Sequence, residues 1–188
     1  RHGWRICFSF NGMTVLEAAQ SAGIYIPALC HHPDLEPYGG CRLCVVEIEK
    51  VRGLSTACTT PALNGMVVKT KSPAIDDVRC TALELMLINH PCECLTCHRR
   101  ERCGPFDVCL RQVAVTDRCI ICPSNQHCEL QTVTDYLGVH ELRFNRDKRV
   151  FPVDTSNPFF NLDRNRCILC ARCTRTCAEI TCVGAIDL

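Results

Sequence analysis

The residues best placed to do chemistry lie between Cys30 and Cys58. Cys30, Cys41, Cys44 and Cys58 follow the spacing C-x10-C-x2-C-x13-C. Two arrive together on one short loop and one comes from each side, which suits four thiolates closing on a single small inorganic centre. Gly39 and Gly40 precede Cys41, so the backbone can wrap tightly and leave amide N–H groups free to point at sulfur. Thiolate is the soft ligand that suits iron–sulfur clusters. Four cysteines also make a closed zinc site, although zinc ribbons place two C-x2-C knuckles where this stretch has one.

The theme recurs downstream. Cys94, Cys97 and Cys103 form C-x2-C-x5-C, and Cys119, Cys122 and Cys128 repeat it 25 residues later. His90, four residues before Cys94, has Val115 as its counterpart in the second copy. Cys167, Cys170, Cys173 and Cys177 form C-x2-C-x2-C-x3-C. That is the bacterial ferredoxin run, whose fourth cysteine serves the other cluster in two-cluster ferredoxins.

Composition supports metal over disulfides. The chain has 188 residues and 19 cysteines, an odd number. C-x2-C pairs occur five times, and residues three apart are too close for independent structural disulfides. No secretory signal is visible, and a reducing compartment keeps thiols available as ligands. The 21 basic and 20 acidic residues leave a net charge of +1, which gives no footprint for nucleic acid or an anionic membrane. Apolar runs fall far short of a membrane span. Because the chain starts at Arg1, an N-terminal piece is expected to be missing.

The elements that must position these ligands read as α+β. Residues 5–10 alternate as a strand, and Asn11-Gly12 is a turn signal. Thr14-Val15-Leu16-Glu17 is a capping box that starts a helix, which Gly23 can stop. Strands are predicted over 44–49, 55–58 and 66–70. Ser72-Pro73 opens an amphipathic helix over about 74–89. A short helix spans 129–137 and ends at Gly138; residues 145–160 form an extended connector, and 184–188 a closing strand.

Cys30-His31-His32-Pro33-Asp34-Leu35, Cys41-Arg42-Leu43-Cys44-Val45-Val46-Glu47 and Ala57-Cys58-Thr59-Thr60-Pro61 together resemble one family. It includes the large iron–sulfur subunit of respiratory complex I, the small diaphorase subunit of NAD-reducing hydrogenases, [FeFe]-hydrogenases and NAD-linked formate dehydrogenases. The resemblance runs from about residue 5 to the end. It implies a plant-type ferredoxin β-grasp domain over 1–71 with one [2Fe-2S] cluster. It implies a His/Cys-ligated domain over 72–140, where His90, Cys94, Cys97 and Cys103 hold a [4Fe-4S] cluster. A connector and the first half of a bacterial-type [4Fe-4S] ferredoxin domain follow over 141–188. The chain is expected to be a fragment, since the second ferredoxin half is absent.

The chain departs from that family in its middle. The string Cys-Glu-Leu-Gln, normally attached to the single ligand loop, here follows the second copy at Cys128-Glu129-Leu130-Gln131, whereas Cys103 is followed by Gly104-Pro105-Phe106. The second copy lacks a histidine, and Cys109 is the nearest spare thiol to complete it; His98 and His127 compete. It can hold an additional [4Fe-4S] cluster or zinc, or one cluster can draw on both copies. Cys7, Cys80 and Cys92 read as small packing residues; if the chain is not a fragment, Cys177 or Cys182 completes a single cluster in the last run, and otherwise Cys182 reads as packing too.

No dinucleotide fingerprint, Walker loop or Ser/His/Asp arrangement is present in the sequence. The expected function is one-electron relay, with two or more [4Fe-4S] clusters beside the [2Fe-2S] centre. By resemblance the partners are a flavin- and NAD(H)-binding subunit and a catalytic subunit of hydrogenase, formate dehydrogenase or quinone-linked type. The expected location is the cytoplasm, or the inner membrane face through partners. The competing readings are a zinc-stabilised binding module and a redox-sensing thiol protein.

Overall fold

The computed structural model describes residues 3–5, 12–91, 93–146, 150–159 and 161–187. The chain folds into two compact units, Arg1–Ala82 with Leu169–Leu188, and Leu83–Ile168. Of the strand expected over 5–10 only Arg5 falls within the description, in β1 (Gly3–Arg5). The remainder, with Asn11, Cys7 and Cys92, lies outside the described residues.

The first unit is a mixed helix and sheet structure. Strands β1, β2 (Val45–Ile48), β3 (Leu54–Thr56) and β4 (Val67–Lys69) form one antiparallel sheet in the order β1-β4-β2-β3. Helix α1 (Val15–Ser21) starts where the capping box predicts. The Glu17 amide donates to Thr14 Oγ1 at 3.3 Å, and the Thr14 amide donates to the Glu17 carboxylate at 2.7 Å. Two N–H groups that the first helical turn cannot pair internally are thereby satisfied. At the other end Gly23, at φ +72°, donates to Gln20 O at 3.0 Å, and Ile24 donates to Ala19 O at 2.8 Å. That pair of bonds is a Schellman closure, which requires a left-handed residue and so favours glycine.

Val15, Leu16, Ala18 and Ala19 of α1 are buried with Val46, Ile48 and Val68 of the sheet. Cys44 and Cys58 belong to the same core. The thiols thus sit where the apolar residues of this small unit are densest.

Helix α2 (Pro73–Leu87) begins one residue ahead of the predicted range. Ser72 Oγ accepts from the Ile75 amide at 3.3 Å and donates to Glu47 at 2.6 Å. Arg79, only 1% exposed, reaches back to the sheet and donates to Val45 O at 2.8 Å and Thr70 O at 3.1 Å. Hydrogen bonds to backbone carbonyls offset part of the cost of burying a guanidinium.

The second unit has little regular structure beyond α3 (Glu129–Leu137) and short 3₁₀ turns, and arginines do much of the holding. Arg111 donates to Thr96 Oγ1 and to the carbonyls of Glu93, Thr96 and His140. Arg143 pairs with buried Glu84 at 3.0 Å, and Arg100 with Asp135 at 2.5 Å. Long loops carry unpaired carbonyls, and guanidinium forks are well shaped to collect several at once.

The closing strand expected over 184–188 is not formed among the described residues. Its amides turn inward instead: Val183 and Gly184 donate to Cys177 O at 3.0 and 3.2 Å, and Ala185 donates to Cys177 Sγ at 3.3 Å. A last turn, α4 (Arg172–Arg175) continued by a π-turn over Thr176–Ile180, carries Cys173 and Cys177.

The cap of α1 gives a direct check. Thr14→Ala should lower stability by about 1 kcal/mol, the usual worth of an N-cap hydroxyl. Chemical denaturation of the two proteins measures it, and an unchanged midpoint would show that the cap contributes nothing.

Candidate metal centres

Cys30, Cys41, Cys44 and Cys58 converge. All four are buried, between 0 and 6% exposed. The Cys44 and Cys58 sulfurs lie 3.3 Å apart, and the Cys41 amide donates to Cys30 Sγ at 3.4 Å. Cys44 ends the ligand loop just before β2, and Cys58 follows β3. The β2–β3 pairing sets Val45 opposite Thr56 and so fixes the two cysteines side by side. The Cys58 loop is fastened to α1 by Leu16 N–H to Ala57 O at 3.0 Å and Val15 N–H to Thr60 O at 2.8 Å.

The glycines before Cys41 do what the sequence asked of them. Gly39 has φ +68°, and a side-chain carbon there would press on Thr59 at 3.1 Å. A side-chain carbon at Gly40 would run into the Tyr38 ring. Arg42 also adopts a left-handed conformation at φ 57°, a strained choice that the ligand loop imposes on a non-glycine residue.

Four buried thiols share their protons. Hydrogen bonds from Cys41 and then Cys58 pull the Cys30 thiol down to about 2, and a bond from Cys58 pulls Cys44 down to about 7. The donors Cys41 and Cys58 are pushed up, first by their bonds to Cys30 and then, among other causes, by burial. Four thiolate charges together in this core would be untenable without a compensating cation. The nest therefore fits a polycationic inorganic group, with these four sulfurs as its ligands.

In the second unit a cavity is lined by Cys94, Cys97, Cys103, Cys109 and Cys119. The Cys94 thiol is pushed up, chiefly by a hydrogen bond with Cys119. Cys109, which the sequence reading assigns to the second copy, lines this cavity beside the whole first copy. His90 is not among the lining residues. Burial, with Arg166 and Arg146 nearby, holds His90 at about 4, so its imidazole is neutral and able to act as a ligand at neutral pH.

Of the second copy, Cys119 is buried while Cys122 and Cys128 are half-buried. Cys128 stands at the N-terminus of α3. Gln131, the last residue of the Cys-Glu-Leu-Gln string, donates to Asn125 Oδ1 at 3.0 Å and accepts from the Gln126 amide at 3.2 Å. It props the loop between Cys122 and Cys128, which gives that string a structural reason. Arg166 donates to Cys122 Sγ at 3.2 Å and to Thr116 O at 3.2 Å. His98 stacks on His140 at 4.0 Å between ring centres.

In the ferredoxin run Cys167 belongs to one unit and Cys170, Cys173 and Cys177 to the other. Leu169 and Ala171 both have positive φ, 55° and 57°, which winds the backbone tightly beside Cys170. Cys177 is lowered, first by the Ala185 amide. Arg175, two residues from both Cys173 and Cys177, donates to Cys30 O at 3.1 Å and to Glu36 O, and lies over the Tyr38 ring at 5.0 Å. Arg172 donates to His31 O at 2.7 Å. None of the described cysteines is in a disulfide, and no three His, Cys, Asp or Glu of the described residues close around the position of a single ion.

Residues 7–73 match the family described as the 2Fe-2S iron–sulfur cluster binding domain. The Cys30–Cys41–Cys44–Cys58 nest lies wholly within the matched residues. Over 179 residues, 94% of the chain and 18% of the relative, the chain is 38% identical to an NADH-quinone oxidoreductase subunit of Rhizobium meliloti (strain 1021). Over 178 residues, 95% of the chain and 20% of the relative, it is 33% identical to the mitochondrial NADH dehydrogenase [ubiquinone] iron-sulfur protein 1 of Solanum tuberosum. A crystal structure of NAD+-reducing [NiFe]-hydrogenase in the H2-reduced state superposes with a TM-score of 0.69 at 35% identity, covering 93% of this chain and 63% of that one. The chain spans about a fifth of the length of the curated relatives it matches.

The sequence found the thiols but missed the groups that serve them. Arg166, Arg172 and Arg175 were hidden because arginine near cysteine has no distinguishing spacing. Gln131 was visible only as part of a string.

In the 2Fe-2S domain Cys44→Ala should remove about two irons per chain together with the [2Fe-2S] absorption bands. Iron analysis and visible spectra check it; an unchanged cluster would place the centre elsewhere. Because Cys41 and Cys58 retain protons until metal arrives, reconstitution should release protons and strengthen as pH rises. Iron loading measured across pH should therefore fall on the acid side; loading independent of pH would contradict the proton-sharing nest.

Proposed function

We propose that this chain is the electron-relay part of a multisubunit oxidoreductase. In this reading residues 1–71 form a plant-type ferredoxin β-grasp domain with one [2Fe-2S] cluster, residues 72–140 carry the duplicated ligand loop, and residues 141–188 are a connector and the first half of a bacterial-type ferredoxin domain. Cys167, Cys170 and Cys173 would hold a [4Fe-4S] cluster, with Cys177 directed to a second one. The clusters supply one-electron oxidation and reduction when bound.

The observation that carries the reading is Arg175. Its backbone sits between two cysteines of the ferredoxin run, and its side chain ends on the carbonyl of Cys30. The ligand loops of two centres are thus one arginine side chain apart. The remaining residues act on the centres without making or breaking substrate bonds. The Cys41 and Ala185 amides donate to sulfur, and Arg166 sets a positive charge against Cys122. Such donors favour the reduced, more negative state.

From the family resemblance we infer the partners: a flavin- and NAD(H)-binding subunit on one side and a catalytic subunit, hydrogenase, formate dehydrogenase or quinone-linked, on the other. Among the described residues no helix is long and apolar enough to cross a membrane. We place the chain in the cytoplasm or at the inner membrane face, held there by partners.

Iron and acid-labile sulfide analysis of the anaerobically purified chain, followed by EPR after dithionite, tests the proposal. Signals of both [2Fe-2S] and [4Fe-4S] type are expected, and the same signals should appear with NADH once the flavin partner is added. A colourless protein holding only zinc would end the relay reading.

A further inference from the structure

We infer that Cys94, Cys97, Cys103 and Cys109 bind one [4Fe-4S] cluster through four thiolates, with Cys109 and not His90 as the fourth ligand of the first ligand loop. This rests on the relay reading above and departs from the sequence expectation at two residues. The cavity in the second unit collects the three cysteines of the first copy together with Cys109, whereas His90 does not line it.

The segment after Cys103 is folded so as to bring Cys109 back. Asp107 donates its amide to Gly104 O at 3.2 Å, and its carboxylate accepts from the Gly104 amide at 2.8 Å, which closes a turn directly after Cys103. A second turn follows Cys109, closed by Gln112 N–H to Cys109 O at 3.1 Å with Gln112 at φ 55°. Arg118 then clamps the segment at both ends, donating to Asp107 O at 2.9 Å and Val113 O at 3.2 Å. Cys109 is held between two turns and a guanidinium, which makes it a placed residue.

Charge points the same way. Arg99, Arg100, Arg111 and Arg118 also line the cavity. The hydrogen bonds of Arg111 and Arg118 run to uncharged oxygens, which leaves their positive charge to act on the cavity. Four thiolates around an iron–sulfur core leave a net negative centre, which arginines among the lining residues suit.

The fifth thiol, Cys119, has its own duty. It opens the second C-x2-C-x5-C with Cys122 and Cys128, the first of which accepts from Arg166. His90, which does not line the first cavity, remains available to the second copy, so each loop has four candidate donors.

The test uses the full, anaerobically purified chain with its iron counted. Cys109→Ala should lower iron by about four per chain and remove one [4Fe-4S] EPR signal, leaving the [2Fe-2S] signal intact. His90→Ala and Cys119→Ala should each leave that same signal in place and alter another. Cys109→His should keep the signal but shift its g values and raise its potential, since a neutral donor replaces an anionic one; this variant decides the matter should the alanine protein fail to fold. Wild-type iron and spectra in Cys109→His, or loss of the same signal in His90→Ala, would overturn the assignment. Zinc in place of iron at this site, released by Cys109→Ala, would overturn it as well. A wild-type chain with no iron at all fails the relay reading itself, whereas iron that is indifferent to residue 109 fails only this inference.

Discussion

Thiolate charge is the constraint around which the chain is built. Cysteine sulfur binds iron only when deprotonated, and anionic sulfur is costly to remove from water. In the first unit four thiols are nonetheless buried in the same core as the residues of α1 and the sheet. The fold can do this because protons are shared until a cation replaces them, and because amides such as that of Cys41 are turned toward sulfur. The left-handed Gly39 and Arg42, and the close approach of Gly40 to the Tyr38 ring, lie in the loop that brings the four sulfurs to one place.

The two units meet the constraint differently. The first surrounds its thiols with an apolar core closed by a sheet, a capping box and a Schellman turn. The second has few regular elements and lines its thiol cavity with arginines, whose forks collect loop carbonyls. In the relay reading proposed above, a loop-rich unit of this kind would gain much of its order from a bound inorganic group, since ligand binding is then also folding free energy.

Much of this was legible in the sequence, because the signals are local. The capping box at Thr14 and Glu17, the left-handed stop at Gly23, the helix over Glu129–Leu137 and three strands depend on residues a few positions apart. The four-thiol nest was legible because Cys30 to Cys58 form one short stretch with a recognisable resemblance. The location of Cys109 was not. Its neighbours in space are set by two turns and by Arg118, and spacing alone does not show that it lines a cavity with Cys94, Cys97 and Cys103. The tail after Cys177 also read as a strand, because nothing in Gly184-Ala185-Ile186 announces that its amides turn to a carbonyl and a sulfur.

The claim beneath all of this is that the buried thiols hold iron and sulfide that change charge by single electrons. Mössbauer spectroscopy of the chain grown on 57Fe, before and after reduction, addresses it most directly. The account predicts ferric and mixed-valence iron in tetrahedral sulfur sites, of both [2Fe-2S] and [4Fe-4S] kinds, that changes on reduction. Iron confined to isolated single-ion sites, or a spectrum that reduction leaves unaltered, would contradict it.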